Sequence, residues 1–185
     1  MNGIYLDNAA TTATRPEVVE AMRPYYGELY GNPSSLHSFG QAAKHALEGA
    51  RQTVADILDA DPEEIYFTSG GTESDNLAIK GAAIAYRHRG NHLITTAIEH
   101  HAVLNVFHEL ALQDFDITVL PVDGHGIVDP EALKAAVRPS TVLISVMLAN
   151  NEIGTIQPVA EIAAIAREQG ILMHTDAVQA VGKMP

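Results

Sequence analysis

Four short polar segments of this sequence carry residue types that together could hold a phosphorylated aromatic ring. Ser69-Gly70-Gly71-Thr72-Glu73-Ser74 places two glycines and several hydroxyls ahead of a helical segment. That arrangement suits a phosphate bound by free backbone N–H groups and the helix dipole. The same residues also read as a plain helix start, with Thr72 as cap and Asp75 completing a capping box. Ala97-Ile98-Glu99-His100-His101 offers an imidazole able to stack on a planar ligand or to move protons near neutral pH. A lone loop histidine is usually surface, and the His100-His101 pair lacks a third metal ligand at sensible spacing. Asn150-Asn151, ahead of Ile153-Gly154, supplies two amides to orient a carboxylate or a ring hydroxyl. Amides in such a turn also cap backbone, so structure alone accounts for one of the two. Asp176 closes Ile171-Leu172-Met173-His174-Thr175, and a carboxylate at the end of a central buried strand needs a partner, here a cationic ligand. Phosphate loop, imidazole, amides and carboxylate describe a pocket for a planar, phosphorylated, protonated nitrogen heterocycle. Pyridoxal 5'-phosphate is the common cofactor of that description, and a carboxylate on its ring nitrogen keeps the ring an electron sink.

These groups matter only if they follow strands of one sheet, because ligands of open α/β sheets sit beyond the carboxyl ends of the strands. From Glu64 onward short β-branched runs alternate with segments of helical period, the pattern of βαβ units on a parallel sheet. Strands are predicted at residues 65–68, 93–96, 117–120, 142–148 and 171–175, and helices at 73–86, 102–112, 130–137 and 158–168. The last two helices open at Pro130 and Pro158, where a missing N–H costs nothing. The first sixty residues differ: a short strand at 4–6, the loop Asp7-Asn8-Ala9-Ala10-Thr11-Thr12, a helix at 16–26 and the loop Gly31-Asn32-Pro33-Ser34-Ser35. A long helix then carries Phe39, Ala42, Ala43, Ala46, Leu47, Ala50, Val54, Ile57 and Leu58 on one stripe. The expected organisation is an arm with a packing helix over 1–60 and an α/β cofactor-binding domain over 61–185.

Composition narrows the function classes. Hydrophobic residues are 46% and charged residues 18% of the 185, which predicts a packed globule. A net charge of −12 without a basic run argues against nucleic acid. No segment approaches a membrane span, and the start Met1-Asn2-Gly3-Ile4 lacks a basic then apolar leader, so membrane association is not expected and a cytoplasmic location is. The absence of cysteine excludes a disulfide framework, a thiolate metal site and a thiolate nucleophile within these residues. His88 and His92, beside Arg87 and Arg89, read as solvated residues around a helix end, and Lys44, Lys80 and Lys134 as surface residues on helical faces.

The segments 5–12, 31–35, 68–76, Glu99-His100, Asn150-Asn151-Glu152-Ile153-Gly154 and His174-Thr175-Asp176-Ala177-Val178-Gln179 closely resemble, in order, the amino-terminal half of cysteine desulfurases of the class V aminotransferase group. The resemblance implies the large-domain layer of a fold-type-I pyridoxal-phosphate-dependent transferase, a mostly parallel α/β sheet with helices on both faces, here incomplete. It implies Gly71 and Thr72 as phosphate ligands, His100 as ring-stacking residue and acid/base helper, and Asp176 as partner of the ring nitrogen. Gln179 would donate to the ring oxygen, and Asn151 would contact that oxygen and the substrate carboxylate. In that family a lysine in a Ser-x-His-Lys context holds the cofactor as a Schiff base, and a loop cysteine receives the sulfur as a persulfide. Neither stands here; Lys183, in Gly182-Lys183-Met184-Pro185, matches the segment before the lysine motif. The family's sheet gains two further strands between the one before Ser69 and the one before Asp176. The sequence is therefore expected to be an incomplete desulfurase or one half of a split protein, its open edge needing another chain. Expected partners are L-cysteine, a second copy of the chain and sulfur-acceptor proteins. Rival readings are another class V enzyme, such as a selenocysteine lyase, and a noncatalytic half that pairs with a carboxyl-terminal chain.

Overall fold

A computed structural model describes residues 3–184, so Met1-Asn2 of the chain start and Pro185 of the Gly182-Lys183-Met184-Pro185 segment lie outside the described residues. The chain divides into two units, Thr12–Phe67 and Met1–Thr11 with Thr68–Pro185.

In the smaller unit, α1 (Pro16–Met22) runs into a 3-10 turn, Arg23–Tyr26, and α2 spans Ser38–Leu58. His37 caps α2, its Nδ1 accepting the Gly40 N–H, and Asp59 ends it with a left-handed φ of 52°. Periodicity placed this long helix correctly but not its surroundings: along its apolar stripe Phe39, Ile57 and Leu58 are exposed, and the buried residues are Gly40 and Ala55. The expected strand at 65–68 is absent. A 3-10 turn at Pro62–Glu64 precedes it, Ile65 is extended, and the Ile65 carbonyl accepts the Arg51 guanidinium rather than a neighbouring strand. Tyr66 is 73% exposed, and without a partner strand among the described residues an extended segment forms no ladder.

The larger unit holds one sheet of four strands among the described residues: β1 (His92–Thr96), β2 (Asp116–Leu120), β3 (Thr141–Ser145) and β4 (Leu172–His174). Their order is β2-β1-β3-β4 and every pair is parallel. The helices between them are α4 (His101–Ala111), α5 (Pro130–Ala136) and α6 (Val159–Glu168), with α3 (Gly71–Tyr86) ahead of β1. The expected strand at 4–6 is not formed, and Ile4 is 89% exposed. The run 142–148 is a formal strand only to Ser145, but Val146 and Leu148 go on donating to the carbonyls of His174 and Asp176. β4 is an edge strand among the described residues, not the central one that the Asp176 argument assumed.

Alternation along the strands builds two apolar layers. Leu93 and Leu143 pack with Ile79 of α3 and with Val103 and Val106 of α4. Ile94 and Ile144 pack with Leu133 of α5 and Ile162 of α6. A register shift between His92 and Leu93 pairs them with Thr141 and Leu143, leaving Val142 as the extra residue of a bulge, and Val142 joins the α3/α4 layer beside Leu143. His92 is not solvated as expected but fully buried: Nδ1 lies 2.7 Å from Thr141 Oγ1 and Nε2 lies 2.8 Å from Thr118 Oγ1. Burial, helped by Arg138, holds its pKa below the ordinary value.

Ile144, wholly buried at the middle of the sheet, tests this packing. Ile144→Ala is expected to lower the unfolding free energy in urea by about 2–5 kcal/mol. A loss below about 1 kcal/mol would show that the layer collapses around the gap or is not close-packed.

Candidate functional site

The strand order reverses between β1 and β3, since the chain leaves β1 for β2 on one side and continues through β3 to β4 on the other. A crevice opens at the carboxyl ends of strands at such a point. Here a cleft of about 320 Å³ lies there, and all six candidate residues line it: Gly71, Thr72, His100, Asn151, Asp176 and Gln179. Ala10, Asp75, Met147, Ala149 and Val178 complete the wall.

The amino end of α3 is capped differently from the expected capping box. The N-cap is Gly70, without a side-chain cap. Glu73 instead reaches back, its Oε2 accepting both the Ser69 N–H at 2.7 Å and the Ser69 hydroxyl at 2.6 Å. Those bonds hold the Glu73 carboxyl below its ordinary pKa. Asp75 turns inward, being 4% exposed. Thr72 is therefore not used as a cap, and its hydroxyl has no hydrogen bond among the described residues. The first turn directs its N–H groups out of the helix. A Cβ on Gly71 would stand 2.8 Å from Val178 Cγ2, so the turn lies close against the loop that carries Asp176.

His100 caps α4, its Nδ1 accepting the Ala102 N–H at 3.1 Å. With Nδ1 an acceptor, the ring proton belongs on Nε2. Asp176 Oδ1 accepts the Val178 N–H at 3.0 Å, and Oδ2 has no partner among the described residues. Gln179 Nε2 donates to the Ala10 carbonyl at 3.0 Å, which ties the loop at 7–12 to the cleft. The two asparagines separate cleanly. Asn150 is structural: its Oδ1 accepts from the Glu152 and Ile153 N–H groups, and its Nδ2 donates to the Ile98 carbonyl at 2.9 Å. Asn151 is left lining the cleft.

Glu99 carries no role in the sequence reading, yet it is only 5% exposed. Its Oε1 accepts the Thr96 hydroxyl at 2.7 Å and the Met147 N–H at 2.9 Å, bridging the ends of β1 and β3. Its Oε2 is buried with no partner among the described residues. Burial raises its pKa to about 7 against the pull of those two bonds and of His174, with Asp176 adding a smaller push upward. Nothing in the residues around position 99 signalled this. Asp75 did carry a signal: it shares a four-residue spacing with Ile79 and Ala83, so a carboxylate stands on the core-facing stripe of α3.

The donor set fits pyridoxal 5'-phosphate. Outward N–H groups and a free hydroxyl beside a glycine suit the phosphate, and an unpartnered carboxylate oxygen on the opposite loop suits the protonated ring nitrogen. The class-V aminotransferase profile matches residues 4–185. The chain belongs to the class-V aminotransferase family. Over 182 residues it is 58% identical to cysteine desulfurase IscS of Methanosarcina thermophila, a match covering 98% of this chain and 45% of that protein. The IscS of Dictyoglomus turgidum is 56% identical, with 98% and 46% covered. Among solved structures, a NifS-like protein superposes with a TM-score of 0.94 at 44% identity over 98% of this chain and 50% of that one. SspA in complex with cysteine gives 0.91 at 42% identity over 95% and 51%. The chain thus spans about half the length of the curated relatives it matches.

The buried carboxyl of this class-V chain makes a pH prediction. Its pKa is raised from 4.5 to about 7 in the folded state, so its stabilising contribution is complete below 4.5 and is lost as pH rises through 7. Relative to Glu99→Gln, the full chain should lose about 3 kcal/mol of unfolding free energy between pH of about 5 and about 8. Parallel stability curves for the two proteins contradict the buried, proton-holding carboxyl.

Proposed function

We propose that this chain is the cofactor-binding part of a pyridoxal-5'-phosphate-dependent cysteine desulfurase. The complete protein converts L-cysteine and an enzyme thiol into L-alanine and an enzyme persulfide, for iron–sulfur cluster assembly or another sulfur-transfer route. The observation that carries the reading is the convergence of the six candidate residues, from the first turn of α3 and the loops after β1, β3 and β4, on one cleft at the sheet's switch point. It is supported by 58% identity to a cysteine desulfurase and by the likeness to a solved SspA that holds cysteine.

When bound, the cofactor supplies an electron sink for negative charge developed at the substrate Cα. This chain's residues supply the rest. The first N–H groups of α3 and the Thr72 hydroxyl bind the phosphate. Asp176 Oδ2 pairs with the ring nitrogen and keeps it protonated. Gln179 turns its amide to the ring oxygen, and Asn151 orients that oxygen and the substrate carboxylate. His100 covers the ring and moves a proton at Nε2, because Nδ1 is committed to Ala102. The lysine for the cofactor aldehyde and the sulfur-receiving cysteine belong to the half of the family pattern that these 185 residues do not match.

The same reading places the protein in the cytoplasm as a homodimer that passes sulfur to acceptor proteins. Exposed apolar residues in the smaller unit, such as Tyr26 and Leu36, support a protein partner there. Among the described residues no helix is long and apolar enough to cross a membrane.

With the complete protein, L-cysteine should give equal amounts of alanine and of sulfur released by added thiol. Asp176→Asn should slow Cα-proton exchange of substrate in deuterated water by about a hundredfold or more while leaving the unfolding midpoint near that of wild type. Exchange at the wild-type rate in that variant rejects the role of Asp176, and no alanine from the wild type rejects the desulfurase reading.

A further inference from the structure

A chain of largely buried side chains links α3 to β4 and β3, and none of the roles above uses it. His174, at the end of β4, has Nδ1 2.8 Å from Ser145 Oγ on β3 and Nε2 3.4 Å from Asp75 Oδ1 on α3. Ser145 is wholly buried and Asp75 nearly so. Ser145 and His174 are also register partners in the ladder, so backbone pairing and side-chain bond hold the imidazole together. The three residue types are those of a hydrolytic triad, but Ser145 lies inside the sheet, where no substrate reaches its Oγ.

The chain's value lies in what stands at its ends. Asp75 is one helical turn beyond Gly71, and His174 is two residues before Asp176 along the same strand direction. The contact between Asp75 and His174 therefore fixes α3 with its outward N–H groups against the strand that delivers the carboxylate. We propose that Asp75 and His174 are positioning residues that set the span between the phosphate-holding turn at Gly71 and Thr72 and the Asp176 carboxylate. The inference rests on the pyridoxal-phosphate reading of the cleft and deepens it. A ligand gripped at both ends gains over its separate ends only when the two grips stand at its own length. Asp75 also lines the cleft beside Asp176, and its 3.4 Å contact with His174 Nε2 gives that second carboxylate a neighbour within the protein.

The test measures dissociation constants of the full chain for three probes: pyridoxal 5'-phosphate, pyridoxal and inorganic phosphate. Asp75→Ala should weaken pyridoxal 5'-phosphate by about tenfold while both one-ended probes bind as they do to the wild type. Asp75→Asn, which keeps an acceptor oxygen for the imidazole, should restore most of the loss. Ser145→Ala, which only loosens the ring, gives a smaller shift of the same kind and serves if Asp75→Ala does not fold. Equal weakening of all three probes, or no change in any, overturns the positioning role and leaves the cleft assignment standing. A wild type that binds pyridoxal 5'-phosphate no more tightly than pyridoxal overturns the cleft assignment and this inference with it.

Discussion

The reversal of strand order between β1 and β3 is the constraint on which the molecule depends. Parallel strands joined by right-handed crossovers place α4 on one face and α5 and α6 on the other, which is how the two apolar layers divide. Where the winding reverses, no helix covers the carboxyl ends and the loops after β1 and β3 diverge. The floor of that opening would expose or orphan backbone groups, and the chain closes it with polar side chains. Glu99 takes the Met147 N–H from across the gap, and Asn150 returns a bond to the Ile98 carbonyl.

Around the cleft, neighbouring residues divide into those that build it and those it presents. Glu73 ties back the turn and Thr72 stays open; Glu99 bridges two strands and His100 presents Nε2. Asn150 is bonded at both ends of its amide and Asn151 lines the wall; His174 is held inside and Asp176 offers an oxygen. Glu99, Asn150 and His174 satisfy buried or half-buried donors and acceptors, which are costly to leave unpaired, while Glu73 braces an exposed turn. The second member keeps at least one polar atom free toward the cleft, with His100 and Asp176 each steadied by a single backbone N–H, the preorganisation that a binding site requires.

Much of this was legible in the sequence, for physical reasons that also mark its limits. Periodicity located all four strands of the larger unit and its helices to within a few residues, because both faces of the sheet are covered and each layer leaves its own spacing. Residues 65–68 have strand composition and still form no strand, since a ladder needs a neighbour that composition does not report. His92 read as solvated because its two threonine partners stand 26 and 49 residues away in the chain. Position along the chain pointed to the segments holding Gly71, Thr72, His100, Asn151 and Asp176, since each follows a predicted strand or opens a helix; Gln179, and Asn151 rather than Asn150, came from the family resemblance. Which way a side chain turns was not visible: Asp75 read as a cap and faces the core, Asn150 and Asn151 read alike, and Glu99 gave no sign of burial.

A crystal structure of the full chain grown with the cofactor would show whether the first turn of α3 and the loop after β4 form a two-ended grip for pyridoxal 5'-phosphate. The phosphate is expected on the Gly71 and Thr72 N–H groups and the ring nitrogen about 2.7–2.9 Å from Asp176 Oδ2, with His100 over the ring. A cofactor bound elsewhere, or one whose ring nitrogen lies away from Asp176 while its phosphate sits on α3, would contradict it.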